Sequence, residues 1–319
     1  MTDLQIEAIG PERTRDVLRI ALAAPDQTPA DLERHVSGFI QYARRMSLSL
    51  QQHWMALRGG RPVSACVCLE FPGRTAMLFI PPGEATEADD DVTVRLVRHA
   101  LSGAAQRDIR VVQCLLDPFD MDNHRRLRSA GMSDLAILQY LERETADTDT
   151  TALAVTPETL QDAQLDWITY DEPDRRTFAN LILATYQDSR DCRGLTGLRD
   201  IDDVLAGHRS AGLFLPRRWS LLRVDRQPAA CILLAENPLR PALEVVYMGV
   251  HPSFRRRGVG QFTLEHGLAL ARRDGFGVVT LAVDAENAPA LRLYHRHAFR
   301  KTLERRAMIR AITPNSARP

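Results

Sequence analysis

The sequence lacks several features that would point to a particular kind of partner. Lysine plus arginine and aspartate plus glutamate both number 41 among 319 residues, so the chain has no net charge. This balance argues against nucleic acid as the main partner. No stretch approaches the roughly 20 apolar residues that a membrane-spanning helix needs, and Met1–Gln5 is not a basic region leading into an apolar core. We therefore expect a cytoplasmic protein that has no membrane partner.

Cysteine is also scarce, and its pattern excludes two further roles. The five cysteines are odd in number, show no CxxC spacing and lie mostly inside apolar runs, which favours reduced thiols in a protein core. They are Cys66, Cys68, Cys114, Cys192 and Cys231. His295 and His297 stand two positions apart on a predicted helix and so point to different faces, without a carboxylate or cysteine to complete a ligand set. No metal site is predicted.

The chain does contain an internal repeat. Its length suits about two domains, and apolar periodicity predicts the order helix, helix, three strands, helix, strand, helix in the first half, which returns after Gln164. Val111–Asp117 aligns with Val278–Asp284, because each is an apolar run closed by aspartate and followed by an asparagine, at Asn123 and Asn287. Two copies of one α/β unit are therefore predicted, although unrelated α/β domains would look similar at this level.

A connector separates the two copies. Between Glu142 and Pro157 the chain is rich in threonine, aspartate, alanine and glutamate and has no apolar periodicity, which is typical of an exposed linker. We place the boundary there, giving domains 1–145 and 146–319.

The second half contains a basic, glycine-containing turn between a predicted strand and a predicted helix. It is Val250–Gly260, with the sequence VHPSFRRRGVG. A helix start presents unpaired N–H groups, glycine lets the backbone approach a ligand, and arginines add charged donors. The turn therefore predicts a site for a pyrophosphate or a phosphorylated cofactor, although similar turns without a ligand are common.

The corresponding place in the first half has the opposite charge. Pro82–Asp91 is acidic, is longer and lacks the second glycine. Because like charges at close range repel, we expect the first domain not to bind the cofactor. It would then serve as scaffold, partner surface or substrate wall.

Together these features resemble the GNAT superfamily of acyl-CoA-dependent N-acetyltransferases. The resemblance lies in the element order, the turn that begins at Arg255 and fits Q/R-x-x-G-x-G/A, and the segment Asn287–Tyr294. It covers Leu165 to about Arg310 well and Gln5–Glu144 as a degenerate copy. It implies an α/β fold of two tandem GNAT-like domains, each a mixed, mostly antiparallel sheet flanked by helices, with acetyl-CoA as co-substrate.

The resemblance also implies a site in the second domain. The turn would hold the coenzyme A pyrophosphate, and the strand before it would pair with the pantetheine arm and polarise the acetyl carbonyl. Tyr294, two helical turns after Asn287, would protonate the leaving thiolate unless it is only a core aromatic. The predicted cofactor-binding residues are Met248, Gly249, Val250, Arg255, Arg256, Arg257, Gly258, Val259, Gly260, Gln261 and Asn287.

The catalytic base has two candidates. Glu244 lies 11 positions before Arg255, the offset of the catalytic glutamate in the histone-acetylating branch of the superfamily, and would take the proton of the attacking amine. Ordered water is the alternative, with Glu244 merely solvated. The loop Tyr186–Gly194 joins two helices where GNAT proteins contact the acceptor, and its mixed charge suits orienting an amine.

The resemblance thus implies direct acetyl transfer to an amine of a small molecule or peptide. The tandem architecture with one working copy also resembles mycothiol synthase, which makes a small cysteinyl or amino-sugar acceptor the first alternative. A non-catalytic acyl-CoA-binding sensor is the second. Such a sensor would need the phosphate turn but neither Glu244 nor Tyr294.

Overall fold

The computed structural model describes residues 4–24, 27–81, 87–145, 156–171 and 173–312, without the side chains of residues 87–90. The helices, in chain order, are α1 Thr14–Ala21, α2 Pro29–Arg45, α3 Glu87–Gln106, α4 Met121–Ser129, α5 Arg175–Thr185, α6 Ile201–Arg209, α7 Val259–Arg273 and α8 Ala288–Arg296. The strands are β1 Leu4–Ala8, β2 His53–Arg58, β3 Arg61–Phe71, β4 Thr75–Phe79, β5 Val111–Leu116, β6 Ser133–Glu144, β7 Leu165–Thr169, β8 Leu213–Val224, β9 Gln227–Glu236, β10 Leu243–Val250, β11 Val278–Asp284 and β12 Arg300–Ala311.

The chain forms two compact units that do not follow the predicted boundary. One unit holds residues 1–137, 197–199 and 305–319, and the other holds 138–196 and 200–304. The difference from 1–145 and 146–319 has a simple cause, because each half ends in a strand that pairs inside the other unit. Arg306–Ala311 of β12 pairs with β5, whereas Leu138–Glu144 of β6 pairs with β11.

Each unit is built on a mixed sheet, as predicted. In the first unit the strand order is β1-β2-β3-β4-β5-β12, and in the second it is β6-β11-β10-β9-β8-β7. The pairs of neighbouring strands within each unit are antiparallel except β4 with β5 and β10 with β11, which are parallel. The α/β fold with a mostly antiparallel sheet is therefore confirmed.

The two halves of the chain match more closely in structure than the sequence alone indicates, because equivalent elements keep a constant spacing. Helix α8 begins at Ala288, 167 positions after Met121 begins α4, and β12 begins 167 positions after β6. The parallel strand pairs keep the same spacing, since Ala76 lies opposite Val112 and Leu243 lies opposite Val279. Equivalent residues of the two halves can therefore be assigned one by one from β4 onward.

The interior of each unit is apolar and contains most of the cysteines. Cys66, Cys68 and Cys114 pack in the core between the first unit's sheet and α3, and Cys231 packs in the core beneath α5 of the second unit. All five cysteines are free thiols, and only Cys192 is not fully buried. Within the described part of the chain, no helix combines the length and apolar character needed to cross a membrane.

Candidate functional site

The second unit has an opening where β10 and β11 separate. These strands pair at Leu243–Val245 and Val279–Leu281. The register of β10 against β9 then shifts between Val245 and Tyr247, where a bulge bends the strand. Beyond this point β10 continues along β9 to Val250, and β11 continues along β6 to Asp284. The parting strands leave a gap between their carboxyl ends.

A cavity of about 800 Å³ lies at this gap. It is bordered by Val245–Val250, by Leu281–Val283, by the start of α7, by α8 and by the loop after α5. The predicted site residues that line it are Met248, Gly249, Val250, Arg255, Arg256, Gly258, Gly260, Gln261, Asn287 and Tyr294. Glu244, Arg257 and Val259 are not among its lining residues.

The free edge of β10 offers backbone groups to this cavity. His251 N donates to Ala229 O at 2.8 Å. Because hydrogen-bonded residues alternate along an antiparallel strand, Gly249 and His251 point their backbone groups at β9, while Met248 and Val250 point theirs at the opening. An extended ligand arm can therefore pair with β10 as an added strand would.

The turn before α7 places an uncapped helix start against the cavity. Gly258 is the N-cap residue, has φ +77° and leaves the helix without a side-chain cap. The first helical hydrogen bond runs from Phe262 N to Gly258 O, so the amides of the first turn are directed outward beside the cavity-lining residues Gly260 and Gln261. Such an end suits a phosphate group.

The three arginines of the turn do different things. Arg255 donates from Nε to Val250 O at 3.1 Å and from Nη2 to Thr185 O at 2.9 Å, so its side chain fixes the turn to β10 and α5. Arg257 lies over the ring of Phe254 at 5.4 Å and is outside the cavity lining. Arg256 is exposed, lines the cavity and has φ +60°. Of the three, Arg256 is best placed to meet an anion.

Helix α8 places Asn287 and Tyr294 on the cavity side. Asn287 is its N-cap, and its side-chain oxygen accepts from Ala290 N at 3.4 Å. Tyr294 is 7% exposed and packs edge-on against Phe299. Burial raises the pKa of the Tyr294 phenol, and the charge of Asp191 raises it further. The phenol therefore stays protonated at neutral pH, as a hydrogen-bond donor must.

Glu244 differs from Asn287 and Tyr294 in that it does not line the cavity. It is half-buried on β10, opposite Ala235 of β9 and Thr280 of β11. Burial raises its pKa to about 6, against the opposing charge of Arg240. A carboxyl group with this pKa is suited to accepting a proton near neutral pH, but it stands beside the cavity-lining Val245 instead of in the lining itself.

The structure corrects one predicted equivalence between the halves. In α4 the N-cap is Asp120, whose Oδ1 accepts from Asn123 N, as Asn287 accepts from Ala290 N in α8. Asp117 and Asp284 each accept from the amide two residues later. The counterpart of Asn287 is therefore Asp120, and Asn123, the asparagine that follows the equivalent strand in the sequence, lies one helical turn further on.

Sequence reasoning missed one carboxylate at the cavity. Asp191, in the loop after α5, lines the cavity and accepts from Asp284 N at 3.1 Å. The loop drew attention through its mixed charge, but no spacing in the sequence indicates that Asp191 meets the end of β11, 93 residues away.

The second unit contains a GNAT acetyltransferase domain. Residues 176–299 match the sequence profile described as "Acetyltransferase (GNAT) family", and this stretch includes the turn, both parting strands and α8. On this match we assign the segment to that family.

Two related proteins match a short part of this chain. A mycothiol acetyltransferase of Clavibacter michiganensis subsp. michiganensis is 49% identical over 57 residues, and that of Clavibacter sepedonicus is 47% identical over 57 residues. Each match covers 18% of this chain and 19% of the relative, so the chain matches about a fifth of the length of these proteins.

Solved structures resemble the whole chain in fold. A GCN5-related N-acetyltransferase from Sphaerobacter thermophilus has a TM-score of 0.61 at 14% identity, covering 98% of this chain and 96% of its own. A tandem GNAT protein from the clavulanic acid biosynthesis pathway has a TM-score of 0.56 at 15% identity, covering 98% and 100%. At this identity the likeness concerns the fold alone, and the fold is that of a tandem GNAT protein.

Proposed function

We propose that the protein transfers an acetyl group from acetyl-CoA to an amine, and that the second unit performs the reaction. The observation that carries this proposal is the convergence on one cavity of an uncapped helix start, a free strand edge and a protonated phenol. These are the groups that would bind a pyrophosphate, an amide-containing arm and a departing thiolate.

In this proposal the chain's own residues hold the co-substrate at three places. The amides at the start of α7, with Arg256, bind the pyrophosphate. The outward backbone groups of Met248 and the outward amide of Val250, whose carbonyl already accepts from Arg255, pair with the pantetheine arm. A β10 amide donates to the acetyl oxygen, where negative charge develops. Tyr294 then donates a hydrogen bond to the leaving sulfur. Holding both reactants in one cavity removes much of the entropic barrier.

The amine must lose a proton in this reaction. Glu244 is the proposed base, and because it stands outside the cavity lining it would act through water. Ordered water alone is the alternative. The half-burial of Glu244 and its pKa of about 6 support the first choice, since its carboxylate is then ionised at pH 7 yet basic enough to accept a proton.

We propose further that the first unit does not bind acetyl-CoA. By the constant spacing of the repeat, Met77 and Leu127 stand at the places of Glu244 and Tyr294. Asn123, at the place of Ala290, donates from Nδ2 to Pro81 O at 2.9 Å, and Pro81 occupies the place of Met248. A side chain thus takes up the strand edge that the second unit leaves open. The buried Arg126, bonded to Asn123, supports this arrangement.

In Pro82–Asp91, the acidic counterpart of the turn, residues 82–86 lie outside the described part of the chain and residues 87–91 belong to α3. At the spacing of the repeat, Gly258 and Gly260 correspond to Asp91 and Thr93, so the residues that align with Phe254–Gly258 are helical in the first unit. The reversal of charge remains an argument against phosphate binding in the first unit.

One class of acceptor amine is favoured by an observation. The short matches to proteins named mycothiol acetyltransferase support a small cysteinyl or amino-sugar amine as acceptor. They cover too little of either chain to decide between this and another small-molecule or peptide amine.

Titration calorimetry and a thiol-release assay test the proposal together. We expect one acetyl-CoA equivalent per chain, and thiol release that depends on an added amine. Tyr294→Phe should bind acetyl-CoA as the wild type does but turn over roughly 10²-fold more slowly, in the range of a lost proton donor. Two equivalents per chain would refute the role given to the first unit. Binding without release for any amine would favour the sensor.

A further inference from the structure

We propose that Asp191, Tyr186 and Tyr247 form the binding site for a protonated amine, so that the acceptor is a cationic primary amine. This inference rests on the proposed acetyl transfer and names the substrate class for the same cavity.

The three side chains belong to the lining of one cavity. Tyr186 and Tyr247 line it together with Asp191, and the two rings meet edge to face, with centroids 6.1 Å apart. The Tyr247 hydroxyl is hydrogen-bonded to Thr185 Oγ1, which fixes that ring against α5. Two aromatic rings beside a carboxylate are the arrangement that attracts ammonium groups, because the ring faces and the carboxylate both carry negative charge density.

The position of Asp191 is fixed by its neighbours on β11. Asp191 Oδ1 accepts from Asp284 N at 3.1 Å, and Asp284 Oδ2 accepts in return from Cys192 N at 3.1 Å. This pair of bonds holds the loop to the end of the strand. Asp191 is exposed where it borders the cavity, so its carboxylate is open to a ligand.

Asp284 itself is not the ligand-binding carboxylate. It is 5% exposed, and its two oxygens accept from the amides of Glu286 and Cys192. It is also absent from the residues that line the cavity. Asp284 therefore holds the loop in position, while Asp191 is the carboxylate that a ligand in the cavity can contact.

The electrostatics around Asp191 favour an incoming cation. The surrounding protein raises the pKa of the Asp191 carboxyl by desolvation, and the charge of Asp284 acts in the same direction, while hydrogen bonds from Asp284 N and the Asn287 side chain oppose them. Burial is the main cause of the raised pKa of the Tyr247 and Tyr294 phenols and of the Cys192 thiol, and the charge of Asp191 raises the pKa of all three further. A bound ammonium would relieve this concentration of negative charge.

The charged groups of the cavity lining come from different elements. Both carboxylates, those of Asp188 and Asp191, belong to the loop after α5, which also carries Arg190. The other guanidinium groups belong to the turn before α7 and to α8, at Arg255, Arg256, Arg292 and Arg296. A cationic acceptor therefore finds its opposite charge on the loop after α5, and an anionic co-substrate finds its opposite charge on the turn and α8. Once bound, the ammonium gives one proton to water or Glu244. The free amine then attacks the acetyl carbon as the C–S bond breaks, and the nitrogen gives up a second proton, which balances the proton taken up by the departing thiolate.

Two amines of similar size but different charge test this inference. Benzylamine is an ammonium at pH 7 and aniline is neutral. For Asp191→Asn, whose side-chain oxygen can still accept from Asp284 N, we expect KM for benzylamine to rise at least tenfold with a smaller change in kcat. KM for aniline should stay within about twofold. Tyr186→Leu should act in the same direction, and Tyr186→Phe, which keeps the ring, should not.

A binding measurement separates this inference from the proposed function. Benzylammonium titrated into the protein saturated with coenzyme A should bind at least tenfold more weakly to Asp191→Asn than to the wild type, without any turnover. Glu286→Gln, an exposed change of the same charge outside the cavity lining, should match the wild type. Amine-dependent thiol release with equal benzylamine constants in wild type and Asp191→Asn would overturn the inference alone. No thiol release from the wild type with any amine would overturn both proposals.

Discussion

At the scale of single residues, burial decides what each carboxyl group can do. Glu244 is half-buried and its pKa is raised to about 6, whereas Asp284, buried more deeply, has its oxygens engaged by backbone amides. The Asp284 carboxylate therefore has a structural role, and the Glu244 carboxyl, with its raised pKa, is suited to proton transfer.

Glu244→Gln tests the proposed base through the pH dependence of the reaction. A base with a pKa of about 6 works in its ionised form, so kcat/KM of the wild type should rise as the pH increases through 6 and then level off. The variant should lack this rise and be roughly 10²-fold slower at pH 8. The measurement is a pH–rate profile between pH 5 and 9, and an unchanged profile would remove Glu244 from the mechanism.

The thermal stability of the same variant serves as the control. Because the folded protein raises the pKa of Glu244, ionisation of this group disfavours folding. The cost grows as the pH rises from the unfolded pKa to the folded value of about 6, and it is constant above that value. A neutral glutamine removes it. Glu244→Gln should therefore unfold at pH 8 at the same or a higher temperature than the wild type, so that a slower reaction cannot be attributed to a damaged fold.

Single residues also show how far the site is predictable from sequence. The turn, Asn287 and Tyr294 follow one another at fixed spacing along the chain, and the structure brings them to one cavity. Asp191 and Tyr186 reach the same cavity through a loop whose position depends on contacts with the end of β11. Such contacts join distant parts of the chain and leave no periodic signal.

At the scale of elements, the two glycines of the turn differ in what they require. Gly258 has φ +77°, and a Cβ there would lie 2.8 Å from Pro157 Cβ. A Cβ on Gly260 would meet Val250 and Leu293 at 3.6 and 3.7 Å, which are ordinary contacts. The family pattern, in which the first position is glycine and the second is glycine or alanine, has its physical reason in this difference.

Gly258→Ala and Gly260→Ala form a matched pair that tests this explanation. The left-handed backbone alone costs an alanine about 1–2 kcal/mol, and Pro157 must also move. We expect Gly258→Ala to lower the melting temperature and to weaken acetyl-CoA binding at least tenfold. Gly260→Ala should stay within about threefold of the wild-type affinity in the same calorimetric titration. Equal losses from both changes would contradict the role given to Gly258.

Elements with a clear apolar period were predicted well, and those without one were missed. The apolar period of the sequence predicts a helix over Pro29–Arg45, and these are the bounds of α2 in the structure. Strand β12 was missed, because its sequence RKTLERRAMIRA is largely exposed along its first half and does not alternate regularly. Strand β6 follows α4 closely and is only partly buried over most of its length. Strands β6 and β12 are both positioned by pairing with a strand of the opposite half. Local sequence patterns do not indicate such pairing.

At the scale of the whole molecule, this exchange of strands makes the two halves of the chain depend on each other. Strand β11 pairs with β6 from Val278, opposite Glu144, to Asp284, opposite Leu138. The same strand carries Leu281–Val283, which line the cavity. A second half that starts after the connector therefore lacks the strand that pairs with the outer edge of β11.

Two fragments that differ only in β6 test this dependence. Fragment 146–319 leaves the outer edge of β11 unpaired, so we expect it to unfold at a lower denaturant concentration than fragment 133–319, which retains β6, and to bind acetyl-CoA more weakly. Both fragments lack β5, the partner of β12, so that loss is common to the two. Urea unfolding followed by circular dichroism, with calorimetry for acetyl-CoA, makes the comparison. If fragment 146–319 unfolded at the same midpoint as 133–319 and bound acetyl-CoA equally well, β6 would be dispensable and the second half would be an independent domain after all.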